Sequence, residues 1–247
     1  MFRAYTYKLI RSPYFYVGLI GIVILCCTDF IHNVRFGCDS VLYHVEIFLG
    51  LAQYRRALVL FAALPFVANF AEEWKSGVIK SCVTRIGIKK YAVTNVLFCW
   101  LTTIITAFLG LWLFMCLDSL FVPWQQIYQN PPYCIFEEYR YGQGEIYLLF
   151  TTLIFAASCG MWAVMGMLMS VLFPNKYVAV CAPFAACYIV ERLTMGLPNW
   201  FDLHWLALSY IPYDYFNNSF LGFFYCVGLF GIIAAVCGVL LCNYKPR

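Results

Sequence analysis

The stretch AEEWKSGVIKSCVTRIGIKKY, Ala71 to Tyr91, lies between two long apolar runs and decides how the rest of the chain is read. Glu72, Glu73, Lys75, Lys80, Arg85, Lys89 and Lys90 put seven charged residues into these 21 positions, while charged residues make up only 11% of the 247-residue chain. Charge so concentrated in an apolar chain marks a place where the protein meets water. Read as helix, Trp74, Val78, Ile79, Cys82 and Ile86 recur every three or four residues, with Lys75, Ser76, Lys80, Ser81 and Thr84 between them. The pattern predicts a short amphipathic helix lying along a membrane surface.

Outside this island the chain has too little polar surface to close a water-soluble globule: 64% of residues are hydrophobic and 20% aromatic. That composition predicts an all-α integral membrane protein forming one transmembrane domain over residues 1–247. A bilayer core needs about 20 apolar residues per helix. Six stretches meet the need, at about 14–28, 52–71, 92–116, 146–173, 177–192 and 220–242. Met1 to Ser12 carries Arg3, Lys8 and Arg11 among Phe2, Tyr5, Leu9 and Ile10 and reads as an interfacial lead-in helix stopped near Pro13. No small-residue cleavage site follows Leu25-Cys26-Cys27, so the first span is expected to be retained rather than removed as a signal peptide.

The segments between the spans divide into loops and half-loops. Asp29 to Leu51 reads as a mixed loop, and Pro65 is expected to kink the second span. Ser119 to Glu145, rich in tyrosine and proline, reads as a folded loop whose aromatics want burial. Leu193 to Ser219 holds apolar runs too short to cross and reads as a pair of shallow re-entrant or interfacial helices before the last span. Ala156, Gly160 and Val164, and in the last span Gly231 with Ala235 and Ala234 with Gly238, have the small-residue spacing of close helix packing. Eleven of the 13 cysteines fall in or beside apolar segments as small hydrophobes; Cys38 and Cys134 alone sit in long polar loops, where a bridge is an open alternative.

Two pairs of charges interrupt apolar sequence. Arg55 and Arg56 open the second span and either snorkel to the interface or line a vestibule that attracts an anionic substrate. Glu191 and Arg192 form either the outer end of the fifth span or a pair shielded within the bundle, since lipid-facing ions are costly. The side on which each loop lies follows from charge. With both termini inside, the cytosolic segments carry eleven basic residues against Glu72 and Glu73, and the other side carries five basic against ten acidic. Positive charge stays inside, so cytosolic termini and a cytosolic island are expected.

Several chemistries have no motif here. There is no nucleotide-binding Gly-x-x-x-x-Gly-Lys-Ser/Thr loop, no Cys-x-x-Cys, no His-Glu-x-x-His and no Gly-x-Ser-x-Gly. His32, His44 and His204 all fall on the expected outer side, where interfacial placement is the ordinary reading and no metal is expected. Glu72-Glu73 alone suggests the paired glutamates of CAAX-type intramembrane proteases, but no arginine stands at Ser76 or Gly77 and the histidines lie across the membrane.

NFAEEWKSGVIKSCVTRIGIKKY resembles the segment after the second helix in permeases of type-2 ATP-binding-cassette exporters. The shared positions are Phe70, then Glu73 four residues before Gly77, then Lys80, Arg85 and Gly87, and the entry Lys89-Lys90-Tyr91; Asn95 departs, where the family often has a basic residue. The resemblance implies a subunit with six transmembrane helices, an N-terminal interfacial helix, a cytosolic coupling helix and a re-entrant stretch before the last helix. It implies that Glu72, Glu73, Lys75, Gly77, Lys80, Arg85, Lys89 and Lys90 couple to the ATPase, with Arg55, Arg56, Glu191 and Arg192 as a possible substrate vestibule. The implied partners are two ABC ATPase subunits, a second permease half, identical or homologous, and membrane lipid, with no nucleic acid. ATP and Mg would sit on the partner ATPase and no cofactor on this chain, which would not itself be an enzyme. Such a subunit exports an amphipathic or hydrophobic substrate (peptide, lipid or drug) across a bacterial plasma membrane by alternating access. The rival readings are a non-transport membrane protein, namely a CAAX-type intramembrane protease or an assembly subunit, and an island that merely anchors to anionic lipid.

The topology has a direct test. In a background without native cysteines, single cysteines at Ser76 and Thr84 are expected to be shielded from an impermeant thiol reagent in intact cells, whereas those at Gln129 and Asn218 react. Labelling of Ser76 from outside would reverse the orientation.

Overall fold

The computed structural model describes residues 2–34, 40–50, 54–124, 136, 139, 143–173, 175–209 and 218–243. Every element among them is helical: α1 (Phe2–Arg11), α2 (Pro13–Val34), α3 (Val41–Gly50), α4 (Arg55–Ser76), α5 (Val78–Ile86), α6 (Ile88–Asp118), α7 (Gly144–Leu172), α8 (Lys176–Thr194), α9 (Leu203–Ala207) and α10 (Ser219–Asn243). Pro13 opens α2, a position where the N–H it lacks would have had no helical partner. Asn175 caps α8 by accepting from the Tyr177 N–H at 3.0 Å.

Among the described residues four helices, α6, α7, α8 and α10, are long and apolar enough to cross a membrane, and the bent pair α3–α4 makes a fifth if it is one span. This is the organisation of a multi-pass helical membrane protein. The remaining expected span coincides with α2, whose apolar part, Pro13–Thr28, is shorter than the other candidates. Asp29 to Leu51 corrects the sequence reading: α2 runs on to Val34, and Val41–Gly50 forms α3 rather than loop. The reason is burial, since Val41, Leu42, Val45, Phe48 and Leu49 all face the core from one short helix. Leu193 to Ser219 shows one helix among its described residues, the five-residue α9, capped by Asp202 through its acceptance of the His204 N–H. Cys38 and Cys134, for which a bridge is an open alternative, lie outside the described residues.

The centre of the bundle is α7. Within its apolar window 78% of residues are buried, against 50% in α6, 33% in α10 and 28% in α8, so the other three helices present much of their apolar surface outward, where lipid takes the place of protein. Close approach to α7 needs small residues. A Cβ at Gly160 would fall 2.5 Å from Trp100 Cδ1 on α6, and Ala156 and Val164, one turn to either side, are fully buried. A Cβ at Gly166 would strike the ring of Pro183 inside α8. Of the two small-residue pairs in α10, only Ala234 with Gly238 faces a neighbour: Gly238 meets Val96 of α6, while Gly231 looks into open space and Ala235 is exposed.

Several polar side chains inside α6 are satisfied by their own helix, as a bilayer favours. Thr102, Thr103 and Thr106 of α6 each donate to the carbonyl four residues earlier at 2.7 to 2.8 Å, and Asn95 Nδ2 donates to the Tyr91 carbonyl at 3.0 Å. Pro65 lies inside α4 and has no N–H for the Phe61 carbonyl, and Gly18 of α2 packs over that same oxygen, which a Cβ would approach to 2.7 Å. The loop after α6 is tied down at Phe136, which is buried, stacks on Phe150 of α7 at 4.4 Å and donates its N–H to Ser219 Oγ at 3.2 Å.

Gly160→Ala is expected to push α6 and α7 apart and to cost about 1–3 kcal/mol, read as a lower unfolding temperature in detergent. Gly228→Ala, where nothing lies within 4 Å, should leave that temperature unchanged or slightly raised.

Candidate functional site

Charged residues collect at the two ends of α4. At its first turn Arg55 is 4% exposed, as is Glu191 near the end of α8, and the two are 136 positions apart in the sequence. Arg55 Nη2 donates to both carboxylate oxygens at 2.9 Å, an end-on pairing in which one nitrogen serves both. The same nitrogen lies 2.8 Å from His204 Nδ1 of α9. A guanidinium has only donors, so that histidine nitrogen is the acceptor. Arg55 Nη1 reaches back to the Leu49 carbonyl at 3.4 Å, at the end of α3. Arg56 adds a second guanidinium, with Nε donating to Glu191 Oε2 at 3.0 Å, and the Cys187 thiol donates to Oε1 at 3.4 Å.

One carboxylate thereby joins α4, α8 and α9 and fastens the α3–α4 elbow, which turns by 90°. Arg55, Arg56 and Glu191, which the sequence reading set in one possible vestibule, are brought into direct contact. Arg55 is enclosed rather than set at an interface. Arg192 is not part of the shielded group: it is exposed, with its guanidinium 5.7 Å from the centre of the Tyr188 ring and Nη1 3.8 Å from Met195 Sδ. His204 was read as interfacial, and nothing in its local sequence signals its place beside Arg55.

A second buried pair lies at the same end. His44 of α3 stands 2.9 Å from Asp118 Oδ2, on the last residue of α6, where the helix dipole disfavours an acid and a nearby imidazole offsets it. Phe30 meets the His44 ring edge-on at 5.0 Å. The chain is fixed here by backbone as well, since the N–H groups of Val41 and Leu42 donate to the carbonyls of Pro123 and Trp124. His44 Nε2, Asp118 Oδ1 and Trp112 Nε1 are buried without a partner among the described residues. A recess bordered by Glu46, Leu49, Tyr147, Thr151 and Leu208 adjoins the elbow and contains the Thr151 hydroxyl, which has no partner among the described residues. Among the described residues no group of three or more His, Cys, Asp or Glu is placed to hold a metal ion.

At the other end of α4 the charged island is divided by two glycines. Gly77 (φ 74°) and Gly87 (φ 85°) adopt backbone conformations that side chains disfavour, and they cut α5 from α4 and from α6. A single island helix is therefore not what forms; α5 spans nine residues, with Ile79 buried and Val83 half-buried against the cluster around Phe66, Phe70 and Tyr91, and with Thr84 and Arg85 exposed. Glu72, exposed on α4, accepts from the Tyr14 hydroxyl of α2 at 2.9 Å. Glu73 is half-buried, and Lys89 and Lys90 are exposed at the start of α6. The side chains of Lys75 and Lys80 lie outside the described set. Seventeen residues of α4 separate Arg55 from Glu72, roughly 26 Å of helix, so the two glutamates and the histidines of the ion cluster do not form one site.

Glu191→Gln strips the counter-charge from two guanidiniums, one of them enclosed, and is expected to destabilise the fold by about 3–5 kcal/mol, seen as loss of the folded protein in size-exclusion chromatography or a large drop in unfolding temperature. Arg192→Gln, on the neighbouring position but exposed, should shift it by less than about 0.5 kcal/mol.

Compared with family models, with curated proteins and with solved structures, the chain finds no match.

Proposed function

We propose that the chain is the membrane-spanning subunit of an ATP-driven exporter of the type-2 ATP-binding-cassette class. It works as two six-helix halves, identical or homologous, over two separate ATPase chains. α2 supplies the sixth crossing, the α3–α4 pair crosses once, and both termini and α5 face the cytosol. The observation that carries this reading is α5: a nine-residue amphipathic helix, hinged by Gly77 and Gly87, between the end of α4 and the start of the 31-residue α6. An ATPase dimer that opens and closes must grip the membrane part somewhere. A short helix docked by Ile79 and free to turn at two glycines passes a push to both flanking helices, whereas a floppy loop would absorb it. Glu72, Glu73, Lys75, Gly77, Lys80, Arg85, Lys89 and Lys90 form the gripping surface.

The other end of α4 carries the Arg55–Glu191 cluster, which stands where a gate on the far side of the membrane would stand. Alternating access then needs the elbow, α8 and α9 to part and rejoin as α4 tilts. The substrate is amphipathic or apolar, in keeping with the aromatic character of that end.

Glu73→Ala separates this reading from a lipid anchor. Coupling predicts a folded, inserted subunit whose export falls by at least tenfold and whose partner ATPase no longer responds to substrate. An anchor predicts little harm, because removal of an acid makes the island more basic and attraction to anionic lipid grows; Lys75→Ala would then be the more damaging change. Export and stimulated ATPase activity that both survive Glu73→Ala would rule out the coupling role.

A further inference from the structure

The ion cluster carries more positive charge than its own acid neutralises. Arg55 and Arg56 share one carboxylate, Glu191, and Arg192 stands outside that pairing; Asp202, the acid that caps α9, is buried and accepts from the His204 N–H. Arg55 is enclosed, and both of its terminal nitrogens have partners. Arg56 uses only Nε on Glu191, is about a quarter exposed, and has both terminal nitrogens free of hydrogen bonds among the described residues. Arg192 makes no ion pair among the described residues; its contacts are the Met195 sulfur and a ring.

Both outward guanidiniums lie against that one ring. Arg56 sits 5.1 Å and Arg192 5.7 Å from the centre of Tyr188, which is half-exposed at the surface of α8. The ring face attracts each cation but does not cancel either charge, and the two lie within about 11 Å of each other by those distances. Arg192, which has no acid among the described residues, and the two terminal nitrogens of Arg56, which Glu191 does not engage, together offer planar donors that suit phosphate oxygens better than a halide. The surface beside them is apolar: Ile189, Leu193, Met195, Leu197, Trp200 and Trp205 are all substantially exposed. In water such a surface would be a liability. At a membrane boundary it is where acyl chains lie, with tryptophan and tyrosine at headgroup depth.

We propose that Arg56, Tyr188 and Arg192 form a site for the phosphate of a phospholipid headgroup, with the acyl chains running along the apolar face of α8 and the segment after it. The site goes beyond the transport reading and does not depend on it. Its charge explains why Arg192 follows Glu191 directly: the acid turns inward to hold Arg55, and the next position turns outward to hold the lipid. Arg56 belongs to both, with Nε on Glu191 and its terminal nitrogens toward the headgroup, so an occupied site also buttresses the cluster that fastens the elbow.

The test uses the full chain purified in detergent, with native mass spectrometry to read bound molecules and thermal unfolding to read stabilisation. The probes are phosphatidylglycerol, diacylglycerol with the same acyl chains, and glycerol 3-phosphate. Phosphatidylglycerol is expected to bind and raise the unfolding temperature, and the two half-molecules are expected to do neither. Arg192→Gln should weaken phosphatidylglycerol binding by at least about tenfold, the loss of one charge-assisted contact; Arg192→Lys should fall between it and the unaltered chain, and Lys89→Gln, at the other end of α4, should bind as the unaltered chain does. Unchanged binding in Arg192→Gln, or equal loss in Lys89→Gln, overturns the site. Stabilisation by glycerol 3-phosphate equal to that by the lipid would mean a site for a free phosphate and would overturn the lipid assignment; stabilisation by diacylglycerol equal to that by the lipid would mean the arginines play no part. None of these readings involves ATP or transport, so the lipid site and the exporter reading fail or stand separately.

Discussion

A carboxylate enclosed among helices is tolerable only when its charge is met where it lies, and Glu191 is met by two arginines at 2.9 and 3.0 Å. Much of this end of the structure follows from that constraint. Arg55 must open α4 with its side chain turned inward, so the chain before it has to arrive across the end of the bundle rather than along its outside, which is what α3 and the 90° elbow accomplish. α8 must be long enough to carry Glu191 to the same level. His204 must come in from the segment after α8 to take the hydrogen-bond capacity of Arg55 that the carboxylate does not fill. Removing Glu191 leaves the enclosed Arg55 uncompensated, so the cluster sets the arrangement of the elements even though its net contribution to stability is modest once desolvation of the ions is counted.

Away from that end, packing is governed by side-chain size rather than by charge. Lipid is as apolar as leucine, so helices gain little from hiding leucine from it and associate where backbones can come close. Gly18 and Gly21 let α2 settle on Phe61 of α4, Gly110 receives Ile22, Gly160 receives Trp100, and Gly166 receives Pro183. Pro65 and Pro183 stand inside helices yet against glycines, and at Pro65 the short contact that brings α2 to α4 also covers the Phe61 carbonyl that the proline leaves without an N–H. The end of α4 that carries α5 has its own smaller apolar cluster, around Phe66, Phe70, Ile79 and Tyr91. Each end of α4 is thus held by a different force, ions at one and aromatics at the other.

Hydropathy made the helices legible because the cost of exposing a peptide group to hydrocarbon is local and large: any run of about 20 apolar residues must be helical if it is in a bilayer. The ranges 92–116, 146–173, 177–192 and 220–242 accordingly lie within α6 to α8 and α10 or within a residue of their ends. The same rule misled at Asp29 to Leu51, where polar residues suggested loop and burial of one face made α3 a helix. The island was legible as amphipathic, but its division at Gly77 and Gly87 was not, since helical periodicity continues across a glycine in sequence whether or not the backbone turns there.

By itself the sequence determined that this is a helical membrane chain, where its long helices lie, and that positive charge gathers in a single island, all of them properties that sum over neighbouring residues. Only the tertiary structure decided that α7 is central, which small-residue faces are used, and that Arg55, Arg56, Glu191 and His204 meet. Those outcomes depend on contacts between residues as much as 149 positions apart, Arg55 and His204 among them. A buried charge declares in sequence that it needs a partner. Which partner it finds is set by helix packing, and no local pattern encodes that.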